Sequence, residues 1–259
     1  MATLVAIISA CSTVPLTGRR QANLVSDAEI QQMAAQSYRE VLSDPKTQVV
    51  NNTTQSRKVK EIGNNIKNAV TRFMSQQGLS ASIEGFNWEF NLLQSNDVNA
   101  WCMPGGKVAV YTGILPITLN DDGLATVMGH EIAHAIAKHS NERYSNAMIA
   151  QGAGAILGGA VTKTEAGKGV FNQVFGVGAQ AGVLLPNSRK QESEADRLGL
   201  TFMAMAGYNP DAAVSFWTRM SQKSGGQAPP EWISTHPSDA TRIADIKKYL
   251  PEARTYYKK

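Results

Sequence analysis

Histidine, cysteine and long apolar runs are all scarce in this 259-residue chain, and each shortage excludes something. Two cysteines, Cys11 and Cys102, rule out a disulfide-stapled small domain and a four-cysteine zinc site. The most apolar small-residue stretch, Ala147 to Val161, is 15 residues long. A membrane-spanning helix needs about 20. The stretch is therefore expected to pack as a helical hairpin with Val170 to Leu185; shielding of a site and contact with lipid are the alternatives. Charged residues make up 18% of the chain and the net charge is +4. The excess gathers at Lys247, Lys248, Arg254, Lys258 and Lys259 without interleaved aromatics, so no nucleic-acid partner is expected. No internal repeat and no Pro- or Ser-rich linker divides the sequence. A 42% hydrophobic content suits a globular fold. One domain over residues 21–259 is expected, with 1–20 as an N-terminal tether.

Only four histidines occur, yet two stand in His130-Glu131-Ile132-Ala133-His134. On a helix, residues i and i+4 share a face with Cβ atoms about 5–6 Å apart. Two neutral imidazoles so placed can hold one Zn²⁺, and Glu131 is placed to take a proton from water at an open position. The surrounding pattern supports a helix. Asp121 and Asp122 offer an N-cap, and Leu124, Val127, Met128, Ile132, Ala135 and Ile136 recur at helical spacing. Gly129 costs this helix about 1 kcal/mol against Ala. Its use is to let another backbone approach. His139 falls off the ligand face by helical phase and is expected to be structural.

A peptidase zinc needs a third protein ligand. Gln191-Glu192-Ser193-Glu194-Ala195-Asp196-Arg197 supplies two competing glutamates after a turn at Pro186-Asn187-Ser188. Glu192 shares a helix face with Asp196, whereas Glu194 points elsewhere. Glu192 is thus the expected ligand. Asp196, one turn on, can accept a hydrogen bond from a ligating histidine and fix its tautomer. Small Ala195 would let the two helices pack closely.

Elsewhere, Ser26-Asp27-Ala28-Glu29 reads as a capping box opening a helix to about Leu42. A second helix is expected near Ser56 to Gln76. Phe86 to Leu93 and Lys107 to Tyr111 read as strands, with Gly105-Gly106 as a turn. A helix follows at Pro210 to Ser221, then a flexible loop at Ser224 to Pro230. A last helix, capped by Ser238 or Asp239, is expected to end near Pro251. The strand Lys107, Val108, Ala109, Val110, Tyr111 is the expected substrate-binding edge, pairing with an extended peptide. Cys102 as a thiol nucleophile is a distant alternative.

The two ligand-bearing segments resemble the active-site pair of the CAAX prenyl protease 1 type of zinc metallopeptidases. That family includes HtpX-like membrane proteases and BepA- and LoiP-like bacterial periplasmic lipoproteins. Its H-E-x-x-H and E-x-x-A-D patterns match His130 to His134 and Glu192 to Asp196. Asn99 to Gly113 resembles its N-A-x-x-x-P-G-G strand, and Ser234-Thr235-His236-Pro237-Ser238 resembles its S-T-H-P segment. The similarity runs from about Leu24 to Leu250. It implies an α+β, mainly α fold of zincin type, with a small antiparallel sheet and one Zn²⁺ per chain. It implies catalytic roles for Glu131 and His236, the latter either as a self-inhibiting fourth ligand or as a transition-state donor. The tetratricopeptide module of some longer members is not expected.

The same resemblance implies unfolded or misassembled envelope proteins as substrates, or else a latched, weakly proteolytic zinc-bound chaperone. It also gives meaning to the N-terminus. The apolar run ending Ile8-Ser9-Ala10-Cys11 resembles a bacterial lipoprotein signal, although the basic n-region is missing. Cys11 would then carry a lipid anchor, and Ser12 would direct the protein to the outer membrane, facing the periplasm.

Overall fold

The computed structural model describes residues 11–150, 165–175, 187–223, 236 and 240–258. It opens with a hairpin, β1 (Cys11–Thr13) against β2 (Arg20–Ala22). This hairpin falls on the expected tether, residues 1–20, and on the first residues after it. Gln21 fastens the hairpin by donating to the Ala137 carbonyl at 2.8 Å.

Helix α1 (Asp27–Ser43) carries the expected capping box. Ser26 Oγ accepts from the Glu29 amide, and the Glu29 carboxylate accepts from the Ser26 amide. Strand β3 (Val49–Val50) leads to α2 (Thr54–Gln76), capped by Thr53. Val59, Ile62, Ile66, Val70 and Phe73 form its buried stripe.

Strands β4 (Glu89–Leu93), β5 (Ala100–Met103) and β6 (Lys107–Tyr111) complete a sheet of order β3-β4-β6-β5. The sheet is small, as expected, but mixed. β4 runs parallel to β6, while β3–β4 and β5–β6 are antiparallel. The cause is the tight turn at Gly105-Gly106, where both residues have φ of +80°. It folds β5 outward and inserts β6 beside β4. A Cβ on Gly106 would lie 2.6 Å from the Trp88 ring, so the turn accepts only glycine there.

This order corrects the expected substrate edge. Lys107, Val108, Ala109, Val110 and Tyr111 pair with strands on both sides, so their backbone groups are committed to the sheet. Lys107 to Val110 are also buried. The outer strand next to them is β5.

A short helix, α3 (Leu115–Thr118), precedes α4 (Asp121–Ile136), the helix bearing the H-E-x-x-H pattern. Its cap is Asn120, whose Oδ1 accepts from the Gly123 amide at 2.9 Å. Asp121 and Asp122 lie in the first turn instead, where their charge suits the helix dipole. Every residue from Gly123 to Ile136 is buried. Helix α4 is therefore a core helix, enclosed on all sides. It stops at Lys138, which has φ of +57°, and α5 (His139–Ala150) starts in a new direction.

α6 (Glu165–Phe175) packs with α5 and α1 over a second core of Ile30, Ala34, Tyr38, Tyr144, Val170 and Phe171. The remainder of the expected apolar hairpin, 151–161 and 176–185, lies outside the described residues, as does the loop 224–230. No helix among the described residues is long and apolar enough to cross a membrane.

α7 (Arg189–Met205) crosses α4, with Ser188 as its N-cap. α8 (Ala212–Lys223) buries Phe216 and Trp217. α9 (Ala240–Tyr256) runs through Pro251 rather than ending there. Buried Leu250 and Ala253 on either side of the proline hold this turn against the core, which offsets the lost backbone bond. The expected caps Ser238 and Asp239 lie outside the described residues.

Candidate metal centre

The site forms where α4 and α7 cross. Gly129 of α4 faces Gly199 of α7, and a Cβ on either would lie 2.9 Å from the other's backbone. This contact explains the glycine before His130. It also brings Glu192 and Asp196 against the two histidines. Ala195 between them is fully buried.

His130 Nε2 and His134 Nε2 lie 3.0 Å apart. Glu192 Oε1 is 3.3 Å from His134 Nε2, and its Oε2 is 3.5 Å from His130 Nε2. Two ligand atoms held about 2.0–2.1 Å from one tetrahedral zinc stand about 3.3 Å apart. The donor set therefore fits zinc in both chemistry and spacing. His236 adds a fourth donor: its Nδ1 lies 3.3 Å from His130 Nε2 and 3.0 Å from Glu192 Oε1. One donor from each of the four residues fits within 4.8 Å, and all four residues are buried. Glu131 faces the same point, with its Oε1 3.5 Å from His236 Nε2.

The neighbours fix the orientation of these groups. Asp196 Oδ1 sits 2.9 Å from His130 Nδ1, so the other ring nitrogen is turned into the cluster. Arg242 of α9 donates through Nη1 to Glu192 Oε2 at 2.8 Å, and through Nη2 and Nε to the two Asp196 oxygens at 2.8 and 2.9 Å. Its guanidinium carbon lies 3.3 Å from the centre of the Trp217 ring. The buried carboxylates thus have a buried, stacked cation between them.

These contacts shift the protonation equilibria. Burial would raise the Glu192 pKa, but His236, Arg242 and the two helix histidines hold it well below the usual value. Burial drives the His134 pKa well down and keeps its ring neutral. Burial also opposes charge on His130, but hydrogen bonds to Asp196 and Glu192 outweigh it and lift the pKa to about 9. The Cys102 thiol is pushed well above its usual value by burial and then by Glu131, so it is no thiolate nucleophile.

The structure brings together His130, Glu131, His134, Glu192, Asp196 and His236. Glu194 stays outside the cluster and binds Arg19 and Thr17. His139 is not a donor to it either, but its Nδ1 lies 2.8 Å from His134 Nδ1. Helical phase placed His139 away from the site only for an unbroken helix, and the break at Lys138 turns it back. Sequence reasoning missed Arg242 and Asn187, whose Nδ2 is 3.1 Å from His236 Nδ1. Arg242 had one signal, since it heads the stripe continued by buried Ile246, Leu250 and Ala253. Cys11 opens β1.

Two histidines one turn apart on a buried helix, with a carboxylate from a crossing helix and a glutamate beside them, define a zincin-type zinc metallopeptidase. The chain belongs to peptidase family M48, whose profile matches residues 63–250. It is 34% identical to the mitochondrial metalloendopeptidase OMA1 of Schizosaccharomyces pombe over 243 residues, covering 93% of this chain and 67% of that protein. It is 37% identical to the protein of that name in Saccharomyces cerevisiae over 182 residues, covering 68% and 50%. A putative beta-barrel assembly-enhancing protease of Vibrio cholerae is 33% identical over 174 residues, covering 64% and 35%. The chain thus spans between about a third and two thirds of these relatives.

Proposed function

We propose that this chain is a zinc-dependent endopeptidase that cleaves unfolded or misassembled proteins at a cell envelope. The observation that carries the chemistry is the buried convergence of His130, His134 and Glu192 on one point, with Glu131 beside it. In this reading those three residues are the metal ligands and Asp196 orients His130. When bound, zinc acidifies a water and polarises the scissile carbonyl. Glu131 accepts the proton of the attacking water and hands it to the leaving amine.

The substrate lies along β5, the outer strand beside β6, and pairs through main-chain bonds. Such pairing reads side chains weakly, which suits extended, unfolded segments. His236 rests as a latch. Its place among the donors, next to Glu131, is where water and the substrate carbonyl must enter.

The finer placement is a bacterial periplasmic lipoprotein, anchored to the outer membrane through Cys11. Ile8-Ser9-Ala10-Cys11 and the similarity to beta-barrel assembly-enhancing proteases support it. The similarity to mitochondrial metalloendopeptidases supports the broader reading of a metalloendopeptidase with protein substrates. Absence of labelled fatty acid from the native protein, with no release from membranes in Cys11→Ala, contradicts the anchor.

The latch also favours a second reading, a weakly proteolytic zinc-bound chaperone or assembly factor. Turnover of a denatured protein such as casein separates the two. An endopeptidase cleaves it, stops when a chelator is added and recovers with zinc. A chaperone suppresses its aggregation without producing fragments.

A further inference from the structure

We propose that Arg19, in the turn between β1 and β2, is a positioning residue of the metal centre and acts on His134 through Glu194 and His139. The inference rests on the zinc-site reading above and adds to it a part of the chain far from the two sequence motifs.

The connection is continuous. His134 turns Nε2 toward the other donors, which leaves Nδ1 facing away. That atom lies 2.8 Å from His139 Nδ1. On the other side of the His139 ring, Nε2 is 3.3 Å from Glu194 Oε2. Arg19 Nε donates to the same Glu194 oxygen at 2.6 Å, and Thr17 Oγ1 donates to Oε1 at 2.6 Å. The other two Arg19 nitrogens, Nη1 and Nη2, donate to the two Glu142 oxygens at 2.6 and 2.8 Å. Gln191 Nε2 adds a 2.7 Å bond to Glu142.

The protons have one consistent order. With the Nε2 lone pair of His134 given to a metal, its proton sits on Nδ1 and is donated to His139 Nδ1. The His139 proton is then on Nε2 and is donated to Glu194. Each ring nitrogen has a single role, and the chain ends on a carboxylate held by Arg19. His139 thus does for His134 what Asp196 does for His130, with the anion one ring further away.

The surroundings suit this task. His139 is wholly buried, and Glu194 and Glu142 are nearly so. Two carboxylates beside each other in such a place repel unless a cation lies between them. Arg19 supplies a planar fork with an edge for each, which lysine cannot do.

Zinc affinity, measured by competition with a chromogenic chelator, tests this without any peptide hydrolysis. His139→Ala should weaken zinc about 10–100-fold. His139→Asn should recover most of that loss, because Oδ1 can accept the His134 proton. Arg19→Ala should weaken zinc by about tenfold. The Arg19→Ala/His139→Ala double variant should be no weaker than His139→Ala alone, since the first residue acts through the second. Circular dichroism of the zinc-free variants checks their folding. If Arg19→Ala fails to fold, Arg19→Lys and Glu194→Gln should each still lower affinity several-fold. Affinity within twofold of wild type in the folded Arg19 variants overturns the proposal, and so do losses that multiply in the double variant. A wild-type chain that binds zinc but cleaves nothing contradicts the proposed function and leaves this relay standing.

Discussion

Gly129 and Gly199 touch where the two ligand-bearing helices cross, each lacking the Cβ that would strike the other's backbone at 2.9 Å. The helix separation, and with it the reach of Glu192 to the histidines, depends on this contact. Gly199→Ala should destabilise the fold by about 1–3 kcal/mol, as other overpacked sites do. It should also lower zinc occupancy. A lowered melting temperature with full zinc content would show that the crossing supports the fold alone.

The two glutamates of α7 should behave differently. Glu192→Ala removes a donor and leaves Arg242 buried without one of its partners, so the purified protein should contain no stoichiometric zinc. Glu194→Ala should retain one zinc per chain at saturating metal, with weaker affinity. Equal zinc content in both variants under dilute conditions would show that the wrong glutamate is assigned as ligand.

The protonation of His130 predicts a pH dependence. In the zinc-free protein, burial opposes its charge, but Asp196 and Glu192 raise its pKa from 6.5 to about 9. The folded state holds this proton more tightly than the unfolded state. Its contribution to zinc-free stability is therefore fully present below about pH 6.5 and is lost as pH rises through about 9. Zinc must expel that proton. Zinc affinity should fall roughly tenfold for each pH unit between about 8.5 and 6.5. A flat affinity profile over that window, measured by chelator competition, would contradict the assignment of the proton to this site.

Much of the site was legible because its signals are local. The span of α4, the capping box at Ser26 and the common face of Glu192 and Asp196 all follow from spacings within one helix. What was not legible is non-local. Strand alternation cannot say which neighbours β6 takes, and it does not mark Ala100 to Met103 as the outer strand. The Arg19 to Glu194 bond joins residues 175 positions apart, with no spacing to mark it. The contact of His139 with His134 follows from a single left-handed residue, Lys138, of a type that rarely takes that conformation. Local propensity favours a stop at Pro251, and packing of Leu250 and Ala253 overrides it.

His236 supplies a prediction with two opposed outcomes. As a latch it blocks the entry point beside Glu131, and His236→Ala should raise turnover of an unfolded substrate. As a transition-state donor its removal should lower the rate by roughly two orders of magnitude. Reduced turnover at unchanged zinc affinity contradicts the latch.

The most direct measurement is cleavage of an unfolded protein by Glu131→Gln at verified full zinc occupancy. The substitution keeps the shape of the side chain and every proposed ligand but removes the base. The account predicts one zinc per chain and a rate lower by about 10²–10⁴-fold or more. Proteolysis at the wild-type rate with zinc in place would contradict it.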